Sequence, residues 1–307
     1  MPIRPGFATR WIVPCFVAPL ALASAACTGT VAASQDAVDA EASSVTAVIA
    51  VERTSGVGSA GATDGARGEA VARVLRMRAG AVDDDALRMV GAAVDFPAMG
   101  SCARAAAPTA SNSRAVELLD VGAITLEADG VKTNLVARRL PDVADLVSGV
   151  VYTTRSSGAE GFPARGRYEV RVAGLDRDVA AFGVEANVVG EPAELRVAGQ
   201  PAGPTGQEAA PGSPVSIAPN APVDLAWTVG ATLAFDVVYI DVAAPGGQTT
   251  RCLFSDSGRA TVPASAFTAD DGTLSVHRVH REAFRAPGVD TGELRFDFAR
   301  VVAYRKH

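Results

Sequence analysis

The chain has 307 residues, 48% of them hydrophobic and only 6% aromatic, with a formal net charge of −6. That content can bury one large core or two ordinary ones. The negative charge, with no basic tract interleaved with aromatics, argues against a phosphate backbone and so against a nucleic-acid partner.

Residues 1–10 hold Arg4 and Arg10 and no acid, and residues 11–22 form a short apolar core that runs into the small-residue stretch ALASAAC. Pro14 and Pro19 interrupt that core, which is too short for a stable span, so residues 1–26 read as a secretory signal peptide. The segment Ser24-Ala25-Ala26-Cys27 resembles a bacterial lipobox, with Ser24 standing where the pattern normally has Leu. The resemblance implies a lipid on Cys27; the competing expectation is simple cleavage after an A-x-A-like site at Ala23-Ser24-Ala25. An acyl chain anchors by burying methylenes at about 0.8 kcal/mol each, without a spanning helix. Residues 27–44 then read as a lipidated flexible tether, rich in Ala, Ser, Thr and Asp and lacking a periodic apolar face.

Cys15 leaves with the leader and Cys27 is the anchor, which leaves Cys102 and Cys252 in an oxidising compartment. Two readings stand: one long-range disulfide, or two small buried hydrophobes, each in its own domain.

Structure is expected from Val45, with a β-branched strand over residues 45–52. Gly56-Val57-Gly58-Ser59-Ala60-Gly61 matches G-x-G-x-x-G formally. Residues 52–55 separate it from the strand and no helix follows, so it reads as a surface loop and no cofactor is expected. Residues 69–78 favour a strand over the helical stripe that Val71, Val74 and Leu75 would also allow. Asp83-Asp84-Asp85 lacks the alternating ligands and turn glycine of a calcium loop and reads as a solvated acidic turn. Residues 87–96 read as a strand closed by Pro97, and residues 103–113 as a loop. Residues 116–127 resume apolar alternation, and Ala128-Asp129-Gly130-Val131 is a hairpin turn. Further strands are expected at 150–154, 167–172 and 182–189, with Tyr168, Val170 and Val172 on one face and Arg167, Glu169 and Arg171 on the other. Residues 45–190 thus read as an antiparallel β-sandwich domain, bounded near Glu191-Pro192.

After a short strand at 194–197, residues 200–222 are dense in Pro and Gly and are expected to form an extended loop that builds no core. Val223, Leu225 and Trp227 alternate with Asp224 and Ala226, which puts Trp227 on the face of the two aliphatics and makes it a core anchor. Phe235, Val237, Tyr239 and Asp241 share one face of the next strand, with Val238, Ile240 and Val242 on the other, as in an inner strand covered twice. Pro245-Gly246-Gly247 and Asp256-Ser257-Gly258 turn the chain on either side of Cys252 and Phe254. This order of Trp, Val-Tyr-Ile-Asp, Cys-x-Phe-x-Asp-x-Gly and Val-Pro-Ala-Ser is similar to the immunoglobulin-like or fibronectin-like modules of exported bacterial proteins. With HRVHR and GELRFDFAR further on, the chain also resembles uncharacterised predicted bacterial lipoproteins. The resemblance implies an all-β fold of two antiparallel, immunoglobulin-like sandwiches, residues 45–190 and 191–307, and an envelope location; it implies no activity.

For chemistry, the histidines are His277, His280 and the terminal His307. A spacing of three puts His277 and His280 on opposite faces of a strand, so they cannot share a metal from a regular sheet. Ser255-Asp256-Ser257 near either histidine is the only suggestive hydrolase set, and there is no G-x-S-x-G elbow. Leu294, Phe296 and Phe298 face one side of the final strand, and the charged row of Glu293, Arg295 and Asp297 on the other reads as a solvated sheet surface. No catalytic, cofactor or metal residues are expected. The reading is a non-enzymatic, lipid-anchored protein of the bacterial cell envelope, at the outer membrane or periplasmic face, with an unknown envelope protein or glycan as partner. The alternatives are a carbohydrate-binding module at the cell surface and, behind it, a hydrolase.

Overall fold

A computed structural model describes residues 44–57, 63–77, 82, 84–105, 116–143, 147–154, 157–158, 161–175, 179–202, 213–230 and 236–307. The signal peptide, Cys27 and all of the tether before Ser44 lie outside the described residues, as do Gly58–Gly61 of the glycine motif, Asp83 and Phe235.

The described chain is all-β apart from one short α-helix and a 3-10 turn. In chain order the elements are β1 (Val45–Val57), β2 (Thr63–Met77), α1 (Asp84–Met89), β3 (Cys102–Arg104), β4 (Val116–Leu118), β5 (Ile124–Ala128), β6 (Val131–Val143), β7 (Val147–Thr153) and β8 (Ser157–Gly158). They continue with β9 (Gly166–Val172), β10 (Phe182–Val188), β11 (Ala193–Val197), β12 (Gln200–Pro201), β13 (Val215–Ile217) and β14 (Val223–Thr228). The last are β15 (Val237–Ala243), β16 (Thr249–Ser255), β17 (Arg259–Val262), β18 (Asp271–Ala286) and β19 (Val289–Lys306).

One large sheet runs β10-β9-β5-β6-β7-β4-β2-β1-β19-β18-β15-β16-β3, and a four-stranded sheet runs β12-β11-β14-β17. Pairing is mostly antiparallel, but β1 and β13 lie parallel to β19, and β4 parallel to β7. The expectation of purely antiparallel sheets is corrected here. Because β1 and β19 are far apart in sequence, no hairpin dictates their relative direction.

Long strands let one sheet serve two cores. The inner face of β1 contributes Ala47, Ile49 and Val51, and that of β19 contributes Leu294, Phe296 and Phe298, to a first core closed by β5, β9 and β10. Strand β6 makes this closure possible by pairing with β5 through Leu135 and then with β7 from Val136 onward, so it turns the corner between layers. Further along the same faces, Leu274 and Val276 of β18 and Val302 and Tyr304 of β19 enter a second core, roofed by β11, β14 and β17.

Between the cores the same face turns ionic. Arg278 and Asp256 are only 3% and 6% exposed, joined by Arg278 Nε donating to Asp256 Oδ2 at 2.8 Å. Arg278 also donates to the carbonyls of Gly190 at 2.6 Å and Thr228 at 2.9 Å, and Trp227 Nε1 donates to Asp256 Oδ1 at 2.6 Å. Glu191 accepts from Arg53 at 2.6 Å, Ser55 at 2.7 Å and Arg300 at 2.9 Å. Desolvating these charges is costly, and the cost is offset because Arg278, Asp256, Arg53 and Glu191 are hydrogen-bonded from several sides, whereas Arg300 makes one bond and keeps its Nε buried without a partner.

Several local expectations change. Residues 87–96 do not form a strand. Asp84 and Asp85 occupy the first turn of α1 and Arg88 its last, which complements the helix dipole, while Ala86, Leu87, Met89 and Val90 pack on Leu75, Met77 and Leu118. The apolar run 116–127 breaks at residues 119–123, where Gly122 has φ 76° and Asp120 accepts from Gly122 N–H and Tyr152 O–H. The Pro/Gly-rich stretch after residue 200 does contribute to a core, through Val215 and Ile217 of β13. Gly56 of the glycine motif is in β1, with φ 105°; a Cβ there would sit 2.1 Å from the Val301 carbonyl oxygen, so close strand packing demands glycine. The hairpin at Asp129-Gly130 forms as expected between β5 and β6, with both residues at positive φ.

Candidate functional site

The outer face of β1, β19, β18, β15 and β16 is not open to solvent along its length, because residues 84–105 cross it as a strap. Arg295, 6% exposed, donates from Nη1 to the Ala92 carbonyl at 2.9 Å, and Arg251 Nη1 to the Asp95 carbonyl at 3.3 Å. Phe96 packs on Tyr239 with ring centroids 5.4 Å apart. The strap then joins the sheet edge as β3, where Cys102 lies opposite Cys252 and is disulfide-bonded to it. The charged outer row of β19, expected to be solvated, is therefore roofed.

Strap and sheet enclose a cleft of about 560 Å³. Its floor is Glu52, Thr54, Tyr239, Arg251, His277 and Asp297, and its walls are residues 93–97 and 103–105. Register explains the floor: Tyr239 is paired with His277, His277 with Ala299, and Ala299 with Thr54, while Asp297 is paired with Glu52 one row along. Alternate residues of neighbouring strands thus project into one space.

The floor is braced by hydrogen bonds. His277 Nδ1 is 2.7 Å from Asp297 Oδ1 and its Nε2 is 3.0 Å from Ser275 Oγ, while Tyr239 O–H donates to Asp297 Oδ2. The rings of Tyr239 and His277 stack at 4.1 Å, and the Arg251 guanidinium lies 4.4 Å above the other side of Tyr239. Arg251 is itself held by both oxygens of Asp241, at 2.8 and 2.7 Å. Burial pushes the Asp297 carboxyl up, but the charge and hydrogen bond of His277 and the bond from Tyr239 outweigh it and hold Asp297 below the usual carboxylate range. Burial, and then the Asp297 charge, push Glu52 up. Burial and Asp297 likewise raise Tyr239.

No protein-family model matches the chain, and no curated protein resembles it to a significant degree. Its function is therefore read from its own side chains.

Of the residues singled out from sequence, Cys102 and Cys252 come together as one bridge. Cys27 lies outside the described residues. The two internal histidines diverge: His277 faces the cleft, whereas His280, 2% exposed, turns to the other face beside Phe296, with Nδ1 2.7 Å from Asp236 Oδ1. Among the described residues no cluster of metal-ligating side chains occurs. Ser255, Asp256 and Ser257 do not assemble with a histidine; Asp256 is committed to Arg278 and Trp227, and Ser257 Oγ donates to the Arg259 carbonyl.

A Ser-His-Asp hydrogen-bond chain exists elsewhere, as Ser275, His277 and Asp297. Ser275 and His277 are two apart on β18, so the strand period alone puts them on one face; only cross-strand register brings in Asp297. Ser275 sits within a regular strand and is not among the residues lining the cleft. The arrangement fixes the His277 ring against the floor.

Proposed function

We propose that the protein is an exported, lipid-anchored protein of the bacterial envelope that binds a partner rather than performing catalysis, with the roofed cleft as its binding element. The leader and the lipobox-like Cys27 support export and anchoring. The observation that carries the reading is the Cys102–Cys252 disulfide, which pins the strap over the cleft and calls for an oxidising compartment. A preorganised cleft of this size, with apolar walls and a few convergent polar groups, suits ligand capture.

The finer architecture belongs to the same proposal: two immunoglobulin-like sandwiches, residues 45–190 and 191–307, following a signal peptide and tether. It draws support from the two cores and from the Tyr168 hydroxyl, which donates to the Pro163 carbonyl five residues upstream in the manner of a tyrosine corner. In this reading β18 and β19 belong to both halves, and Glu191 is the joint.

The test is incorporation of radiolabelled palmitate in a bacterial host, followed by envelope fractionation and recovery of bound partners. Label should enter the wild-type chain and be absent from Cys27→Ala. Equal labelling of both, or none in either, removes the anchor. An activity-based serine probe that labels Ser275 would overturn the non-catalytic assignment.

A glycan is the second reading, because Phe96 and Tyr239 supply aromatic surface beside carboxylates in the cleft. Trp227 plays no part in it, being 5% exposed and bound to Asp256.

A further inference from the structure

The charges lining the cleft are paired within the protein with two exceptions among the described residues, Glu52 on the floor and Arg104 on the wall. Arg251 is neutralised by Asp241, and Asp297 is hydrogen-bonded by His277 and Tyr239. Asp95 is bound by Arg88 at 2.7 Å, outside the cleft. Of the cations that neighbour Glu52 electrostatically, Arg295 spends its guanidinium on the Ala92 carbonyl and on Glu293 at 3.5 Å, and Arg73 is not within ion-pair distance of it. On the floor, Glu52 remains. Among the described residues its carboxylate has neither a hydrogen bond nor a cation within ion-pair distance, and it stays exposed to solvent on the cleft floor.

We infer that the cleft takes an organic ammonium ion, a protonated amine carried on a small apolar or ring-bearing body, with Glu52 as its counter-ion. The inference rests on the cleft being the binding element and names the chemistry it selects. A carboxylate that is accessible but has no cation of its own offers a charge-assisted hydrogen bond to an incoming ammonium. Glu52 keeps solvent contact, but the sheet and strap around it desolvate it in part, and this with the Asp297 charge disfavours its ionised form; a cation placed beside it offsets that penalty. Thr54 supplies a hydroxyl on the same strand, and Val94, Phe96 and Pro97 supply the apolar wall against which the body of the ligand rests. A simple inorganic cation would make no use of that wall.

Two sources carry this chemistry, an amino sugar and the amine of a peptide, and the arms of one experiment separate them. Full-length protein in detergent is equilibrated by dialysis against tetraglucosamine, tetralysine and the fully N-acetylated form of each. At least one free-amine probe should be retained, with its acetylated form bound about tenfold or more weakly, since acetylation removes charge and a donor together. Glu52→Gln should abolish the difference, whereas Asp129→Asn, which removes an equal charge on a remote exposed turn, should leave it intact. Retention of tetraglucosamine alone assigns an amino sugar, and of tetralysine alone a peptide amine. If free and acetylated forms bind equally, the cleft remains a binding site and the ammonium inference falls. It falls too if neither amine is retained, or if Asp129→Asn matches Glu52→Gln. Palmitate labelling is independent of all these outcomes.

Discussion

The two faces of β1, β18 and β19 carry charge in opposite ways. On the inner face, Arg53, Arg278, Arg300, Glu191 and Asp256 form a seam between two apolar cores, and their opposite charges are paired within the protein. On the outer face, one residue along each strand, Asp297 and His277 are paired but Glu52 is not. The seam is closed and the cleft accessible, although both are built from the same strands. The difference teaches where to seek function: charges paired with opposite charges inside the protein hold the fold, and a charge left without a partner beside a cavity is available to a ligand.

The sharpest way to break this contrast is Asp256→Ala, which leaves both the Arg278 guanidinium and the Trp227 N–H without their buried acceptor. A loss of about 3–5 kcal/mol in urea unfolding is expected. A loss below about 1 kcal/mol would mean that the seam does not join the two cores.

Removing the bridge with Cys102→Ala and Cys252→Ala comes next. The cysteines are 150 residues apart, so the chain-entropy model sets the effect near 5 kcal/mol. About 2–5 kcal/mol is the expected range for a native disulfide. Because β3 is the edge strand, faster amide exchange should concentrate in the strap and spare β19; exchange raised equally in both would contradict its role as a local clasp.

Asp297→Asn probes the cleft floor. It replaces a charged acceptor of two side-chain hydrogen bonds, with an expected cost of about 1–3 kcal/mol at neutral pH. The folded-state pKa of Asp297 is depressed, so its contribution is full above the usual aspartate range and is lost as pH falls through the lowered folded value. The variant should therefore show a shallower acid limb than wild type in a pH series of urea melts. An unchanged acid limb would dissociate Asp297 from acid stability.

Glu52→Gln should have the smallest effect on stability. Its folded pKa is raised, so ionisation costs stability as pH rises above the usual glutamate range. The variant should melt at or slightly above the wild-type temperature at neutral pH and match it in acid, below the glutamate range.

Much of the inner face was legible in the sequence. Alternation alone places Tyr168, Val170 and Val172, and likewise Leu294, Phe296 and Phe298, on buried faces, because a strand has only two sides. Trp227 reads correctly for the same reason. Alternation cannot reveal which strands are neighbours. The meeting of Glu52 with Asp297 crosses β1 and β19, nearly the whole described chain apart, and depends on a parallel register that no local pattern encodes. The strap is not legible because the short apolar run from Leu87 fits helix and strand alike, and packing on Leu75 and Met77 settles the choice. The cleft is hidden with it, since without a roof Asp297 reads as one charge in a solvated row.

The contrast between the faces is tested most directly by measuring stability and ligand retention together on Glu52→Gln. The expected result is unfolding free energy within about 0.5 kcal/mol of wild type or slightly higher, with the preference for free over N-acetylated amines abolished. A loss above about 2 kcal/mol with that preference intact would make Glu52 part of the fold's support and contradict its assignment to binding.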